Sequence, residues 1–162
     1  MKLIAAVDKN WAIGKDNDLL FSIKEDMQFF RSTTLNKVVV MGRKTLESFP
    51  GSKPLKNRVN IVLSRDKTLK IEGAACVASL EELFEELKKY DTDDVFVIGG
   101  EAVYNLLVPY CDTAYITEID SEKDADRFLT NISKLDDWRL AESSDIKEDN
   151  GLKFVFNTYV KK

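Results

Sequence analysis

A chain of 162 residues is the size of one domain, and 44% hydrophobic with 32% charged residues describes a folded globule rather than a disordered or fibrous chain. The net charge of -4 and a pI near 5.0 argue against nucleic acid or an anionic membrane as the main partner, so any anion site must be a local basic cluster. The chain has no histidine, which removes Ser–His–Asp and Cys–His nucleophile systems and His-rich metal sites.

Taken in chain order, the apolar stretch Met1–Val7 is too short for a signal peptide, and no stretch approaches a membrane span. Short apolar, β-branched runs predict strands at Leu3–Val7, Lys37–Met41, Asn60–Ser64, Ala74–Ala78, Val95–Ile98, Thr113–Ile119, Trp138–Ser144 and Lys153–Val160. Several of these, such as Val38-Val39-Val40, are continuously apolar, as strands covered on both faces should be. The segment Trp11–Ser22 is expected to be a long mobile loop, a candidate lid. Ser22-x-x-Glu25 and Ser79-x-x-Glu82 match the capping-box pattern and predict helices to about Thr33 and over Leu80–Lys89. Two more helices are expected just after Gly42 and after Gly99-Gly100. Cys76 and Cys111 are too few for a disulfide framework and are expected to be free. The turn at Asp149–Gly151 between the last two strands is a hairpin signal. The expected fold is α/β: a single domain over residues 1–162, with a central, mostly parallel eight-stranded sheet, an antiparallel C-terminal edge strand and four flanking helices.

Four groups of residues could carry chemistry. Asp26 shares a helix face with Phe29 and Phe30, and a carboxylate among aromatics is costly unless something pairs with it. It is either a helix-start carboxylate favoured by the macrodipole or an anchor for a group presenting two adjacent N–H donors. The glycines of Gly99-Gly100 would allow a phosphate close to the backbone, although they form no G-x-G-x-x-G fingerprint. Arg43 and Lys44 sit at a helix start where cations oppose the macrodipole, so an external polyanion explains them better than local stability. With Arg65 they suggest a dinucleotide carrying an extra phosphate, NADPH rather than NADH. Arg58 is either an exposed loop arginine or a fork for a substrate carboxylate.

Ile4-Ala5-Ala6-Val7, Ile13-Gly14, Asp26 with Phe29-Phe30, Val40-Met41-Gly42-Arg43-Lys44-Thr45, Pro54-Leu55-x-x-Arg58-x-Asn60, Val97-Ile98-Gly99-Gly100 with Tyr104, and Tyr115-Ile116-Thr117 together resemble dihydrofolate reductase of the bacterial type over essentially the whole chain. The resemblance implies reduction of 7,8-dihydrofolate to 5,6,7,8-tetrahydrofolate by hydride transfer from NADPH, in a cytoplasmic monomer that antifolates inhibit and that uses neither metal, nucleic acid nor membrane. Asp26 would bind the amide–amine edge of the pterin and promote protonation of N5, supported by Thr117. Leu19 and Phe21 of the lid would complete the catalytic group. Substrate would meet Ile4, Ala5, Ala6 and Ile98 by backbone or apolar contact, and Met27, Phe30, Phe49, Leu55 and Tyr104 around the ring and its tail. Arg58, with Arg31 nearby, would hold the glutamate α-carboxylate. The cofactor's adenosine side, including the 2′-phosphate, would fall to Arg43, Lys44, Thr45, Ser64 and Arg65. Its pyrophosphate would fall to Gly99, Gly100, Glu101, Ala102 and Val103, with Tyr104 near the nicotinamide, and Ala6, Ile13, Gly14, Gly42, Leu63 and Ile98 would complete the cofactor contacts.

The chain departs from the family in three places. Leu20-Phe21 stands where Pro-Trp is usual, so no indole N–H is present there. The loop at Gly51-Ser52-Lys53 is one residue longer, with Lys56-Asn57 for Pro-Gly, and Thr130 replaces a proline. Two other readings carry less: a pyrimidine reductase of riboflavin synthesis, and a nucleotide-binding protein without catalysis.

Overall fold

The computed structural model describes residues 1–162. Its strands are β1 (Lys2–Val7), β2 (Ala12–Lys15), β3 (Asp18–Leu19), β4 (Val38–Gly42), β5 (Val59–Leu63), β6 (Ala74–Val77), β7 (Val95–Gly99), β8 (Thr113–Ile119), β9 (Arg127–Phe128), β10 (Trp138–Ser143), β11 (Lys147–Asp149) and β12 (Leu152–Lys161). Its α-helices are α1 (Lys24–Thr34), α2 (Arg43–Glu47), α3 (Leu80–Leu87) and α4 (Glu101–Leu107). No helix is long and apolar enough to cross a membrane.

All eight expected strands form one sheet in the order β10-β12-β8-β1-β7-β4-β5-β6. From β8 to β6 the pairings are parallel, while β12 runs antiparallel between β8 and β10. Alternate residues of the central strands serve opposite faces. Leu3, Val38, Val40, Val95 and Val97 join α3's Leu83 and α4's Leu107 in one apolar cluster; Ile4, Val39, Met41, Phe96 and Ile98 form another with α2's Leu46, against which α1's Phe29 and Phe30 pack. Both faces are therefore sealed, which is why these strands are apolar at every position.

The helix placement creates the cleft. From β1 the chain crosses by α1 to β4, toward the β6 edge; from β7 it crosses by α4 to β8, in the opposite direction and on the other face. Where successive crossovers diverge, a crevice opens beyond the C-terminal ends of the strands. Asp26 near the start of α1 and the Gly99-Gly100 junction before α4 both border it.

Four details correct the sequence-based expectations. Trp11–Ser22 is not irregular: β2 and β3 form a hairpin across Asp16-Asn17, both left-handed (φ 50 and 60), and β9 adds a third strand to this small sheet. Strands of two to four residues are too short to show alternation, and Asp and Asn are residues that tolerate this turn conformation without glycine. Ser22 does not cap α1. The cap is Ile23, Ser22 Oγ instead donates to Met27 Sδ at 3.5 Å, and Glu25 pairs with Lys147 at 3.1 Å. Ser79 does cap α3, accepting from Glu82 N at 3.1 Å, but Glu82 reaches back to Ala78 N and the helix ends at Leu87, not Lys89. Finally, the hairpin at Asn150-Gly151 joins β11 to β12, and β10, not the last strand, is the antiparallel edge.

Candidate active site

Asp26 is half-buried in the first turn of α1. One carboxylate oxygen, Oδ1, accepts from Thr117 Oγ1 at 2.6 Å; Oδ2 receives no hydrogen bond from the protein. Thr117 is itself buried in β8, a strand paired with β1 so that Thr117 lies opposite Ala6. Burial pushes the Asp26 carboxyl above the usual carboxylate range, and the Thr117 hydrogen bond offsets part of that rise. A carboxylate with one oxygen fixed and one free can hold two donors on a ligand, and with its pKa raised it keeps its proton to higher pH than an exposed carboxylate does.

Around it lies apolar surface. Phe30, Phe49 and Leu55, each half-buried, pack with Ile4 and Ile98 in a single cluster. Phe29, expected on the same face as Asp26, also sets its ring 4.9 Å from that of Phe156, tilted to it, and 6.1 Å from that of Tyr115, edge to face. Tyr104 is buried, donates to the Ile4 carbonyl at 2.7 Å, and has its hydroxyl pKa raised by burial and then by the nearby Asp26. These contacts draw α1, β1, β7 and α4 together at one place.

The glycine junctions meet across the cleft. A Cβ on Gly42 would lie 3.2 Å from Val103 Cγ2 and 3.9 Å from Gly100 N; one on Gly100 would lie 3.3 Å from Thr45 Oγ1. Gly99 has φ +132, a conformation open to glycine alone, and the Gly99–Gly100 peptide is cis. Neither α2 nor α4 has a side-chain N-cap, so no side chain of the protein caps their first N–H groups. Register places Gly42 beside Leu63, so Arg43 and Ser64 leave adjacent strands side by side. A cradle too tight for a Cβ, helix starts that no side chain caps, and the cations Arg43, Lys44 and Arg65 fit the phosphates of a dinucleotide. Arg43 also pairs with Glu47 at 3.2 Å, so part of its placement is local after all.

Residues 1–161 match the family model of dihydrofolate reductase. The chain belongs to the dihydrofolate reductase family. Among its relatives are dihydrofolate reductases of Neisseria gonorrhoeae (37% identical, covering 99% of this chain and 97% of that one), Bacillus subtilis (35%, 100% and 95%) and Staphylococcus haemolyticus (33%, 98% and 90%). The solved dihydrofolate reductase of Enterococcus faecalis, complexed with NADP(H) and RAB-propyl, superposes with a TM-score of 0.89 at 31% identity, covering 99% of this chain and 95% of that one.

In this member of the dihydrofolate reductase family the remaining expected residues are spread unevenly. Met27 and Leu19 are largely exposed, Leu19 at the β2–β3 hairpin. Gly14 is required by that hairpin, since a Cβ would meet the Asp18 carbonyl at 3.0 Å. Ile13 and Ala5 pack on the large core cluster, and Ala6 and Phe21 on a smaller one formed by Ile23, Ile119 and Phe154. Glu101 turns its carboxylate to Phe128 N at 2.6 Å, leaving only its backbone for an anion. Ser64 Oγ accepts from Asp66 N at 3.2 Å.

Two residues beside the hairpin leave no pattern in the sequence because they act through the backbone. Asp8, buried, accepts from the amides of Asn10, Ala12 and Lys123 and fixes the entry to the hairpin. Lys123 donates to the Leu20 carbonyl at 2.7 Å and stands 4.5 Å over the Phe21 ring, at the position where the family usually has tryptophan. A cation over an exposed-side ring is worth about 0.5–1 kcal/mol, so Lys123→Ala is expected to speed amide exchange across residues 12–23 by about two- to fivefold, with Lys123→Arg close to the native rate. Unchanged exchange in the alanine variant excludes the latch.

Proposed function

We propose that the chain reduces 7,8-dihydrofolate to 5,6,7,8-tetrahydrofolate, consuming NADPH and one proton, with Asp26 as the anchor of the pterin ring. The observation that carries this reading is the half-buried Asp26 carboxylate, with one oxygen held by Thr117 and the other free beside an apolar wall. NADPH supplies the hydride that reaches C6 of the ring. The chain's own contribution is placement and one proton. Asp26 would grip the amide–amine edge and, with its raised pKa, favour a proton at N5. Phe30, Phe49, Leu55, Ile4 and Ile98 would exclude water from the ring, and holding two reactants in near-attack geometry contributes several kcal/mol, of order 7–11 at best. Arg58 would hold the tail carboxylate. Gly99, Gly100 and the backbone from Glu101 to Val103 would receive the pyrophosphate, and Arg43, Lys44, Thr45, Ser64 and Arg65 the adenosine end.

A pyrimidine reductase would have no use for the Asp26 anchor and the Arg58 clamp together. Antifolates are expected to compete for the same wall. The protein is read as a cytoplasmic monomer forming one domain, a placement in keeping with free Cys76 and Cys111. The test is the fall of absorbance at 340 nm when purified protein meets NADPH and dihydrofolate. No fall under those conditions overturns the reading.

A further inference from the structure

α1 ends at Thr34, whose side chain is completely buried, and a hydroxyl sealed from water needs its partners within the protein. Thr34 Oγ1 donates to the Phe30 carbonyl at 2.8 Å, one turn back, as helical threonines commonly do. It also accepts from Nε of Arg58 at 3.2 Å, a contact that leaves the helix altogether.

The rest of the guanidinium is equally constrained. Nη1 donates to the Lys56 carbonyl at 2.7 Å and Nη2 to the Arg31 carbonyl at 3.0 Å. A guanidinium has five N–H donors, so two remain, one on each terminal nitrogen: a pair that the two oxygens of one carboxylate can accept together. No carboxylate of the protein pairs with Arg58. Burial, then the neighbouring Arg31 cation, lowers the Arg58 pKa, so this charge sits in an unfavourable place held only by neutral acceptors. Three acceptors orient it and none neutralises it.

We propose that Thr34 is a positioning residue for substrate: its hydroxyl fixes the orientation of the Arg58 fork so that the two spare N–H groups meet the carboxylate of the substrate's tail. The proposal rests on the reading of Arg58 as that carboxylate's clamp. Thr34 touches no substrate itself. Of the three acceptors it is the only side chain, and therefore the only one a substitution can remove.

Thr34→Val keeps the shape and deletes the hydroxyl, leaving Nε–H without an acceptor. A hydrogen bond to a charged group is worth enough that KM for dihydrofolate should rise about five- to tenfold. Turnover should stay within about twofold, because the pterin end keeps its anchor. A 6-methyl-dihydropterin, which lacks the carboxylate tail, should show no KM change, and Thr34→Ser should restore the native value. In an Arg58→Leu background the valine should add nothing, as two residues acting through one contact require. Equal KM increases for both substrates, or a full additional effect on top of Arg58→Leu, would mean a merely structural threonine and would overturn the proposal. If Arg58→Leu raises KM for dihydrofolate and Thr34→Val does not, Thr34 alone is wrong. If Arg58→Leu itself changes nothing, the clamp falls and the proposal with it. Should the valine variant fail to fold, Thr34→Ala removes the same hydroxyl without the branched methyl and answers the same comparison.

Discussion

Asp26→Asn is expected to lower turnover at neutral pH by roughly 10²-fold or more, the range for loss of an acid–base group. Asparagine preserves the shape, and its carbonyl can still accept from Thr117 where Oδ1 does now. What changes is the other arm. An amide N–H₂ would face the ring's N–H donors where Oδ2 now offers an acceptor, and the side chain could no longer keep a proton close to N5. The pH dependence separates this from a general loss of fit. Burial raises the Asp26 pKa, so activity that depends on the protonated carboxyl should fall as pH rises through that raised value. The variant should lack this inflection, and its deficit should shrink at low pH, where solvent protonates the substrate directly. Turnover near the native level at neutral pH, measured at saturating NADPH, would remove Asp26 from the mechanism.

The same carboxylate sets an opposing demand on stability. Its folded-state pKa lies above the unfolded value, so its contribution favours folding below the unfolded pKa and is lost as pH rises through the folded one. Above that raised pKa the ionised, partly desolvated side chain therefore works against the fold. Asp26→Asn carries no charge to desolvate, so above that pKa its melting temperature should equal or exceed that of the native chain, and the difference should vanish in acid. A slower but more stable variant is the pattern of a residue kept for function.

How far the sequence disclosed this arrangement depends on which physical signal each part leaves. The central strands were legible because both faces of the sheet are sealed there, making Val38–Met41 and Val95–Ile98 apolar throughout. Asp26 stood out because a charge beside Phe29 and Phe30 needs an explanation, and the two glycine junctions because they end such runs. The β2–β3–β9 sheet left no pattern: strands of two to four residues have no period to detect, and its turn uses Asp16-Asn17 rather than glycine. The false capping box at Ser22 shows the limit of a local motif, since Glu25 has a better partner in Lys147, more than a hundred residues on. Asp8, Thr34 and Lys123 were illegible for a related reason. Each makes a hydrogen bond to backbone or side chain far away in sequence, Asp8 with Lys123 N, Thr34 with Arg58 and Lys123 with the Leu20 carbonyl, and such pairings exist only once the fold has brought the segments together.

Arg43→Ala combined with Arg65→Ala is expected to raise KM for NADPH on the order of 10²-fold while leaving KM for NADH within about twofold, since each charge-assisted bond to a phosphate contributes about 1.5–3 kcal/mol. The two dinucleotides differ only in the 2′-phosphate, so the comparison isolates whatever recognises that group. Register supports a common target: Gly42 pairs with Leu63, which brings Arg43 and the Ser64-Arg65 turn out of neighbouring parallel strands at their C-terminal ends. The chain as a whole is acidic, so a gathering of cations here is not explained by a generally basic surface. Two carboxylates temper the prediction. Glu47 already engages Arg43 at 3.2 Å, and Asp66 is close enough that Arg43 helps hold its carboxyl below the usual range, after the stronger hydrogen bonds from Thr68. Arg43 must therefore exchange a protein partner for the phosphate, whereas Arg65 has no protein carboxylate within ion-pair distance. The single Arg65→Ala variant should accordingly lose more NADPH affinity than Arg43→Ala. Salt gives the second handle: an exposed phosphate–arginine contact is screened over about 10 Å at 0.1 M, so the native preference for NADPH should narrow as ionic strength rises, and the double variant's should not. Equal loss of both dinucleotides in the double variant would show that these cations serve the fold or the shared pyrophosphate, and would remove the physical basis for cofactor choice at this end of the cleft.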